Sequence, residues 1–235
     1  MALPELNTAR YTMVLPSTGE TIEYRPYLVK EEKILMMAME SDDQEAVMKA
    51  IIDVIKACLL TELNVDELPM FDIETLFLAL RSKSVGESVD LKVKCTTGDC
   101  QEVSDVRVNF DDIEQPVVGE EQTKIMLTDD VGVVMKYPSV GSVATMANAD
   151  ESADNALKMI IKCIDSIFDA DDVYPVENET EKSLLKFIES LNSVQFYKLS
   201  DFFNDMPSLS TTIDWTCSCG KEQSKELRGL ASFFT

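Results

Sequence analysis

Histidine is absent from the sequence, and glycine is scarce. Without an imidazole the chain cannot build a Ser-His-Asp or Cys-His nucleophile, and it lacks the commonest general base near neutral pH. None of the eight glycines belongs to a glycine-rich loop of the kind that binds phosphate. These absences argue against the familiar hydrolases and against nucleotide-dependent enzymes, and they favour a protein without enzymatic activity.

Positive charge is also in short supply. Twenty-one lysines and arginines stand against 43 aspartates and glutamates, which gives a formal net charge of −22. A field of that sign repels phosphate backbones and anionic lipid headgroups, so we expect neither nucleic acid nor a membrane as a partner. No apolar run approaches the roughly 18 residues of a membrane span, and no secretory signal is recognisable. We therefore expect a cytosolic chain.

The composition is otherwise that of an ordinary globular protein, with 45% hydrophobic and 27% charged residues over 235 positions. Residues 11–15 and 21–24 alternate in polarity around a turn that contains proline and glycine, which predicts a hairpin. Helical spacing predicts helices over 30–40 and 42–62. Asp72 is placed to cap a third helix.

A β region follows these helices, and the chain then returns to helix. Residues 88–94 and 103–110 alternate strictly, and a second hairpin is predicted from 124–127 and 133–137. Three apolar faces at helical spacing come next. They consist of Leu157, Ile160, Ile161, Ile164, Ile167 and Phe168, then Leu184, Leu185, Ile188 and Leu191, and finally Phe196, Leu199, Phe202 and Phe203. Residues 169–175 are predicted to form a loop, and 210–216 a last strand.

The six cysteines fall into two groups by context. Cys58 and Cys163 lie on or beside apolar helical stripes and are predicted to be small buried side chains. The other four lie in two pairs after alternating strands, with a glycine near each pair. These four are Cys95 and Cys100, in C-x4-C spacing, and Cys217 and Cys219, in C-x-C spacing. Two facing hairpin loops can present four thiolates as a tetrahedron, so the four cysteines are predicted metal ligands.

The predicted occupant is a structural Zn²⁺ ion, with an iron–sulfur cluster as the alternative. Reduced thiols without metal also agree with the spacing, and disulfides are disfavoured in a reducing cytosol. Four thiolates leave no open coordination position, so such a site stabilises the fold and does not catalyse. A metal held by three thiolates and a water would instead support a metal-dependent enzyme. A basic patch beside the cysteines would support a zinc ribbon that binds nucleic acid. That patch would comprise Lys92, Lys94, Arg107, Lys221, Lys225 and Arg228.

The predicted fold class is α+β, with helical groups flanking a mostly antiparallel sheet. Two cysteine-bearing β-hairpins are predicted to form a zinc-ribbon-like module in it. The expected segments are four. They are 1–87, an N-terminal hairpin plus a helical group; 88–138, the β region with the first cysteine pair; 139–207, a C-terminal helical group; and 208–235, a strand and the second cysteine pair returning to the β region.

Two longer stretches resemble a known family. They are residues 24–40 (YRPYLVKEEKILMMAME) and 71–87 (FDIETLFLALRSKSVGE), together with the opening Met-Ala-Leu-Pro. They are similar to the baseplate hub subunits and hub assembly proteins of T-even-like tailed bacteriophages, particularly those of marine cyanophages. The resemblance covers the first hundred residues or so well and the C-terminal half loosely.

The resemblance implies a non-enzymatic role in building the baseplate hub of a contractile tail, with other hub proteins as partners. It implies a location in the host cytoplasm during assembly, and in the tail baseplate of the virion if the protein is incorporated. The alternative is a transient chaperone of the tape-measure protein that is absent from the mature virion. The sequence leaves the oligomeric state open.

Overall fold

The computed structural model describes residues 7–41, 43–98, 100–147 and 153–233. Helices alternate with short strands, and all of the strand pairs formed by these residues are antiparallel. This confirms the α+β class. The described strands form three two-stranded sheets and one four-stranded sheet. The prediction of one sheet flanked by helices is therefore wrong, because each of these strands pairs only with strands that are next to it in chain order. No helix in the described part is long and apolar enough to cross a bilayer.

The strands and helices have the following bounds. The strands are β1 (Tyr11–Val14), β2 (Thr21–Tyr24), β3 (Ser88–Lys94), β4 (Val103–Asn109), β5 (Lys124–Met126), β6 (Gly132–Met135), β7 (Ile164–Phe168), β8 (Val173–Pro175), β9 (Ser210–Thr216) and β10 (Glu222–Arg228). The helices are α1 (Val29–Met39), α2 (Gln44–Cys58), α3 (Met70–Ser84), α4 (Glu120–Thr123), α5 (Val140–Ala147), α6 (Ala153–Lys162), α7 (Glu181–Glu189) and α8 (Ser193–Asn204).

By its internal contacts the chain divides into two compact units. Unit 1 comprises residues 1–65, 71–116 and 208–235, and unit 2 comprises residues 66–70 and 117–207. The C-terminal hairpin β9–β10 therefore belongs to the same unit as the first cysteine-bearing hairpin, β3–β4. The finer division into four segments stays a prediction.

Helix α3 is the most deeply buried element of unit 1, with buried residues on all its sides from Phe71 to Leu80. The prediction that Asp72 caps this helix is wrong. The helix begins at Met70, and Asp72 lies inside its first turn, where its carboxylate accepts hydrogen bonds from the backbone N–H and the hydroxyl of Ser17. A buried carboxylate needs such donors, so it is bound to the β1–β2 turn rather than to its own helix.

Unit 2 surrounds a core that α6, α7 and α8 form with strands β6 and β7. The prediction that Ile164, Ile167 and Phe168 continue a helix is wrong, because α6 ends at Lys162 and these residues form β7. In β7 the buried Ile164 and Ser166 alternate with the exposed Asp165, which is the period of a strand. The i, i+3, i+4 spacing of residues 164, 167 and 168 is that of a helical face, although residues 164 and 168 also share one face of a strand, so a short run of this kind is ambiguous.

The predicted loop over residues 169–175 is shorter in the structure. Asp169 begins the β7–β8 turn, and its carboxylate accepts hydrogen bonds from the backbone N–H groups of Asp171 and Asp172. The remaining residues, from Val173 to Pro175, form β8 and pair with β7. The turn is therefore predictable from its aspartates, whereas the short strand after it is not.

Candidate metal centre

Two hairpins of unit 1 carry the four cysteines that the sequence singles out. Cys95 directly follows β3, and its N–H donates to the carbonyl of Glu102 at 2.9 Å. Cys217 directly follows β9, and its N–H donates to the carbonyl of Lys221 at 3.0 Å. Each loop contains a glycine in the left-handed region, with φ of +53° at Gly98 and +82° at Gly220, where a side chain would be strained.

The two loops bring all four sulfur atoms together. The Sγ atoms of Cys95, Cys100, Cys217 and Cys219 lie within 4.8 Å of one another. The Sγ atoms of Cys95 and Cys219 are 3.9 Å apart, and those of Cys100 and Cys217 are 3.8 Å apart. Each short distance joins one hairpin to the other. The fold therefore brings the Cys95–Cys100 pair and the Cys217–Cys219 pair into one four-cysteine cluster.

The sulfur separations discriminate between chemical states. A disulfide requires about 2.05 Å between sulfurs, so distances of 3.8 and 3.9 Å describe free thiols. Four thiolates at about 2.3 Å from a central zinc ion form a tetrahedron whose edges are about 3.8 Å. The cluster therefore has the dimensions of a single tetrahedral ion's ligand shell, and it can hold a metal ion.

The cluster is shielded on one side only. Cys217 is 2% exposed and Cys95 is 7% exposed, whereas Cys100 is half-buried and Cys219 is exposed. An ion at the centre would enter past Cys219.

The two remaining cysteines lie in the hydrophobic interior, as the sequence predicts. Cys58 and Cys163 are fully buried, and burial raises the pKa of each thiol to about 11. A protonated, buried thiol is a poor nucleophile and a poor metal ligand. Both cysteines are therefore packing residues.

The pKa values of Cys95 and Cys100 shift in opposite directions. Donation from the backbone N–H and the hydroxyl of Thr97 lowers the pKa of Cys95 to about 7. At Cys100 the backbone N–H of Glu102 acts in the same direction, but burial and the neighbouring thiols outweigh it and raise the pKa to about 12. Four close sulfurs cannot all ionise without a cation among them, which is the electrostatic reason that such a cluster suits a metal ion.

Sequence reasoning missed the residue that joins the two loops. Gln223, in β10, is 8% exposed, and its Oε1 accepts hydrogen bonds from the N–H and the hydroxyl of Thr96. The opposite ends of the hairpins are joined as well, because Glu114 and Ser210 exchange backbone hydrogen bonds of 2.8 and 3.3 Å. The cluster is therefore held from both ends of the hairpin pair.

The six basic residues predicted near the cysteines are all exposed, and two of them make hydrogen bonds along the hairpins. Arg107 donates two hydrogen bonds to the Asp90 carboxylate, at 2.8 and 3.0 Å. Arg228 donates to the hydroxyl of Ser208. The charge of Arg107 is therefore paired with a carboxylate, and Arg228 is hydrogen-bonded to a neutral hydroxyl.

Fold and site together define an α+β protein in which a compact four-thiol cluster lies between two hairpins. The chain matches the T4 bacteriophage base plate protein family over residues 8–235 and belongs to that family. It is 24% identical over 218 residues to baseplate hub assembly protein gp26 of Enterobacteria phage T4, covering 92% of this chain and 93% of that protein. No solved structure matches it. The family that the sequence motifs suggest is thus confirmed.

Proposed function

We propose that this chain is a non-enzymatic structural or assembly protein of the baseplate hub in a phage with a contractile tail. The observation that carries the proposal is the family match over residues 8–235, together with a hub assembly relative covered almost from end to end. The lack of histidine and the closed geometry of the four-cysteine cluster agree with a role without catalysis.

The partners in this proposal are other baseplate hub proteins, met in the host cytoplasm during assembly. Helix α1 supplies a surface suited to them, because Val29, Met36, Met37 and Met39 are exposed apolar side chains. Methionine adapts its shape to a partner more readily than branched residues do. With a net charge of −22, nucleic acid and anionic membranes are excluded as partners in this proposal.

A second candidate function is transient. The relative from phage T4 is named for hub assembly, which favours a protein that acts during assembly. In that version the chain is a chaperone of the tape-measure protein and is absent from the mature virion. In the first version it stays in the tail baseplate.

Quantitative mass spectrometry of purified virions, set against infected-cell lysate, separates the two versions. A fixed copy number alongside other baseplate proteins identifies a hub subunit. Abundance in lysate with absence from virions identifies a chaperone, and co-purification then tests the tape-measure protein as its partner. Normal baseplates in a phage that lacks this gene would contradict both versions.

We also propose that the four-cysteine cluster binds one Zn²⁺ ion and that this ion staples the two hairpins of unit 1 as a zinc-ribbon-like module. Separations of 3.8 and 3.9 Å support a single tetrahedral ion. A polynuclear iron–sulfur cluster places iron and sulfide atoms between its cysteines, and sulfurs within 4.8 Å of one another leave little space for them. With four thiolates around it the ion has no open position and acts structurally.

Elemental analysis of the purified chain tests the zinc proposal. We expect one zinc per chain, and we expect Cys95→Ser, Cys100→Ser, Cys217→Ser and Cys219→Ser variants each to lose most of it. The matched controls are Cys58→Ala and Cys163→Ala, which remove buried thiols outside the cluster and are expected to keep the zinc. Visible absorption with bound iron and sulfide would support the iron–sulfur alternative. Failure of the reduced wild-type chain to bind added zinc would overturn the proposal.

A further inference from the structure

Gln223 has a hydrogen-bonding pattern that packing alone does not require. Its Oε1 accepts from the Thr96 N–H at 3.1 Å and from the Thr96 hydroxyl at 2.7 Å. Its Nε2 donates to Thr97 Oγ1 at 2.7 Å and to the Glu222 carbonyl at 3.0 Å. Two acceptor sites and two donor hydrogens are the full capacity of an amide, so every one is used. The backbone N–H of Thr96 also fixes the orientation of the amide, because only its oxygen can accept.

These bonds hold the loop that begins at one of the clustered cysteines. Thr96 directly follows Cys95, and Thr97, which accepts the amide hydrogen of Gln223, is the next residue. The hydrogen-bond network therefore runs from β10 to the two residues that follow Cys95 in the other hairpin. It joins residues 126 and 127 positions apart in the chain.

We propose that Gln223 is a positioning residue that assembles the metal site before the ion arrives. The proposal rests on metal binding by the cluster, as proposed above. Gln223 holds the two residues that follow Cys95 against the hairpin that carries Cys217 and Cys219. These hydrogen bonds order the loop when the chain folds. The binding free energy of the ion is therefore not reduced by the entropy cost of ordering the loop.

The sequence separation of the two cysteine pairs makes such a device useful. Cys95 and Cys219 are 124 positions apart, so nothing local holds one pair opposite the other. Outer hydrogen bonds to metal ligands typically account for about 10- to 100-fold in metal affinity. We expect an effect of this size from Gln223, although it contacts no metal.

The test is a set of zinc affinities, measured on the full chain by competition with a chromophoric chelator. Gln223→Ala is expected to weaken zinc binding about 10- to 100-fold. Gln223→Glu keeps the two accepted bonds but cannot donate to Thr97, so an intermediate loss is expected. The matched control is Gln101→Ala, which makes the same change at an exposed position in the same module and is expected to leave the affinity unchanged.

Thr97 variants test the hydrogen bond between Gln223 and this loop if Gln223→Ala does not fold. Thr97→Val removes the hydroxyl at nearly constant volume and is expected to weaken binding, whereas Thr97→Ser keeps the hydroxyl and is expected to restore it. The spectrum of added Co²⁺ supplies a second readout, since its absorption reports whether all four sulfurs still surround the ion. A distorted spectrum in Gln223→Ala, with a wild-type one in Gln101→Ala, supports positioning.

The outcomes separate the two proposals. Tight zinc binding by the wild type, with unchanged affinity in both Gln223→Ala and Thr97→Val, overturns the positioning role and leaves the zinc site standing. Absence of zinc binding by the wild type overturns both. A parallel loss in Gln101→Ala shows general loosening of the module and contradicts a specific role of Gln223.

Discussion

Glu74 shows how one residue can organise a fold. This buried carboxylate, on α3, accepts hydrogen bonds from the backbone N–H groups of Leu230 at 3.0 Å and Leu209 at 3.3 Å. Burial raises its pKa, although the two N–H donors act against that rise. Leu209 directly precedes β9 and Leu230 lies just after β10, so one side chain of α3 binds both ends of the β9–β10 hairpin.

We therefore expect Glu74→Ala to destabilise the protein by about 2–4 kcal/mol, because two buried N–H groups lose their acceptor. Urea unfolding followed by circular dichroism measures the change. Glu62→Ala, at an exposed position of the same unit, is the control and is expected to change stability by less than about 0.5 kcal/mol. Equal effects of the two substitutions would show that the N–H groups find other partners.

The buried Glu31 carboxylate is expected to make the stability of the folded state depend on pH. Burial acts to raise its pKa, but the Arg25 guanidinium at 2.9 Å and the Leu28 N–H outweigh it and lower the pKa below the ordinary 4.5. A lowered folded pKa means that the charged carboxylate favours the folded state. This stability is present above the unfolded value and is lost as the pH falls through the folded value.

Glu31→Gln is accordingly expected to cost about 3 kcal/mol near neutral pH, since it leaves Arg25 without its buried partner. The difference from wild type is expected to begin to shrink below about pH 4.5, where the carboxylate of the unfolded chain takes up a proton, and to be lost once the pH has fallen through the lower pKa of the folded state. Glu32→Gln, in the same helical turn, controls for the loss of charge at a helix N-terminus. A difference that stays constant across this range would contradict the linkage.

The grouping of Cys95, Cys100, Cys217 and Cys219 was predictable from the sequence, whereas the roles of Gln223 and Glu74 were not. Cys95 and Cys217 follow alternating strands, which is a local signal. Gln223 and Glu74 act on residues 127 and 135 positions away, and no short window contains both partners. One signal was available. Gln223 lies on the same strand face as Leu227, which is buried, so the glutamine could be expected to point inward and to need hydrogen-bond partners there.

The hairpins are the elements that need the most support. Both β3–β4 and β9–β10 are two-stranded, and an isolated two-stranded hairpin is marginally stable in water. Their alternation made them easy to predict. The β7 strand was missed because its pairing with β6, which buries it, lies outside its own sequence.

Removal of the proposed zinc is therefore expected to loosen these two hairpins first. At free zinc about 1,000-fold above its dissociation constant, the ion contributes about 4 kcal/mol to stability. A strong chelator is expected to lower the melting temperature and to speed amide hydrogen exchange in β9 and β10, with little change in β6 and β7 of unit 2. An unchanged exchange pattern after verified metal removal would contradict the stapling role.

Strand β6 begins at Gly132, where the ring of Phe168 leaves no space for a side chain. A Cβ atom on Gly132 would collide with Cζ of Phe168, its partner across the β6–β7 pair. Lys124 Nζ also lies over the Phe168 ring, 4.7 Å from its centroid. The ring therefore lies over the glycine, and its room to move is restricted.

Gly132→Ala is expected to destabilise unit 2 by about 1–3 kcal/mol, the usual cost of overpacking. Gly119→Ala is the matched control, because Gly119 has ordinary extended angles and nothing within 4 Å of its would-be Cβ. Urea unfolding of both variants measures the difference. Stability equal to the control would mean that Phe168 has an alternative position at little cost.

At the scale of the whole molecule, unpaired negative charge dominates. The chain has 43 acidic and 21 basic side chains, so most carboxylates have no cation to pair with. The Arg10–Glu23, Lys83–Glu87 and Arg107–Asp90 ion pairs are all substantially exposed, and exposed pairs contribute little. Repulsion among the remaining carboxylates therefore opposes the folded state more than the exposed pairs support it.

Added salt is accordingly expected to stabilise this protein. Between about 10 mM and about 100 mM the screening length falls from about 30 Å to about 10 Å, which weakens repulsion across the molecule more than it weakens contact pairs. We expect a gain on the order of 1 kcal/mol and a higher melting temperature, with NaCl and KCl equally effective because screening does not depend on the cation's identity. Calorimetry at fixed pH and saturating zinc measures the shift. A melting temperature that falls with salt would show that ion pairing outweighs the self-repulsion of the chain.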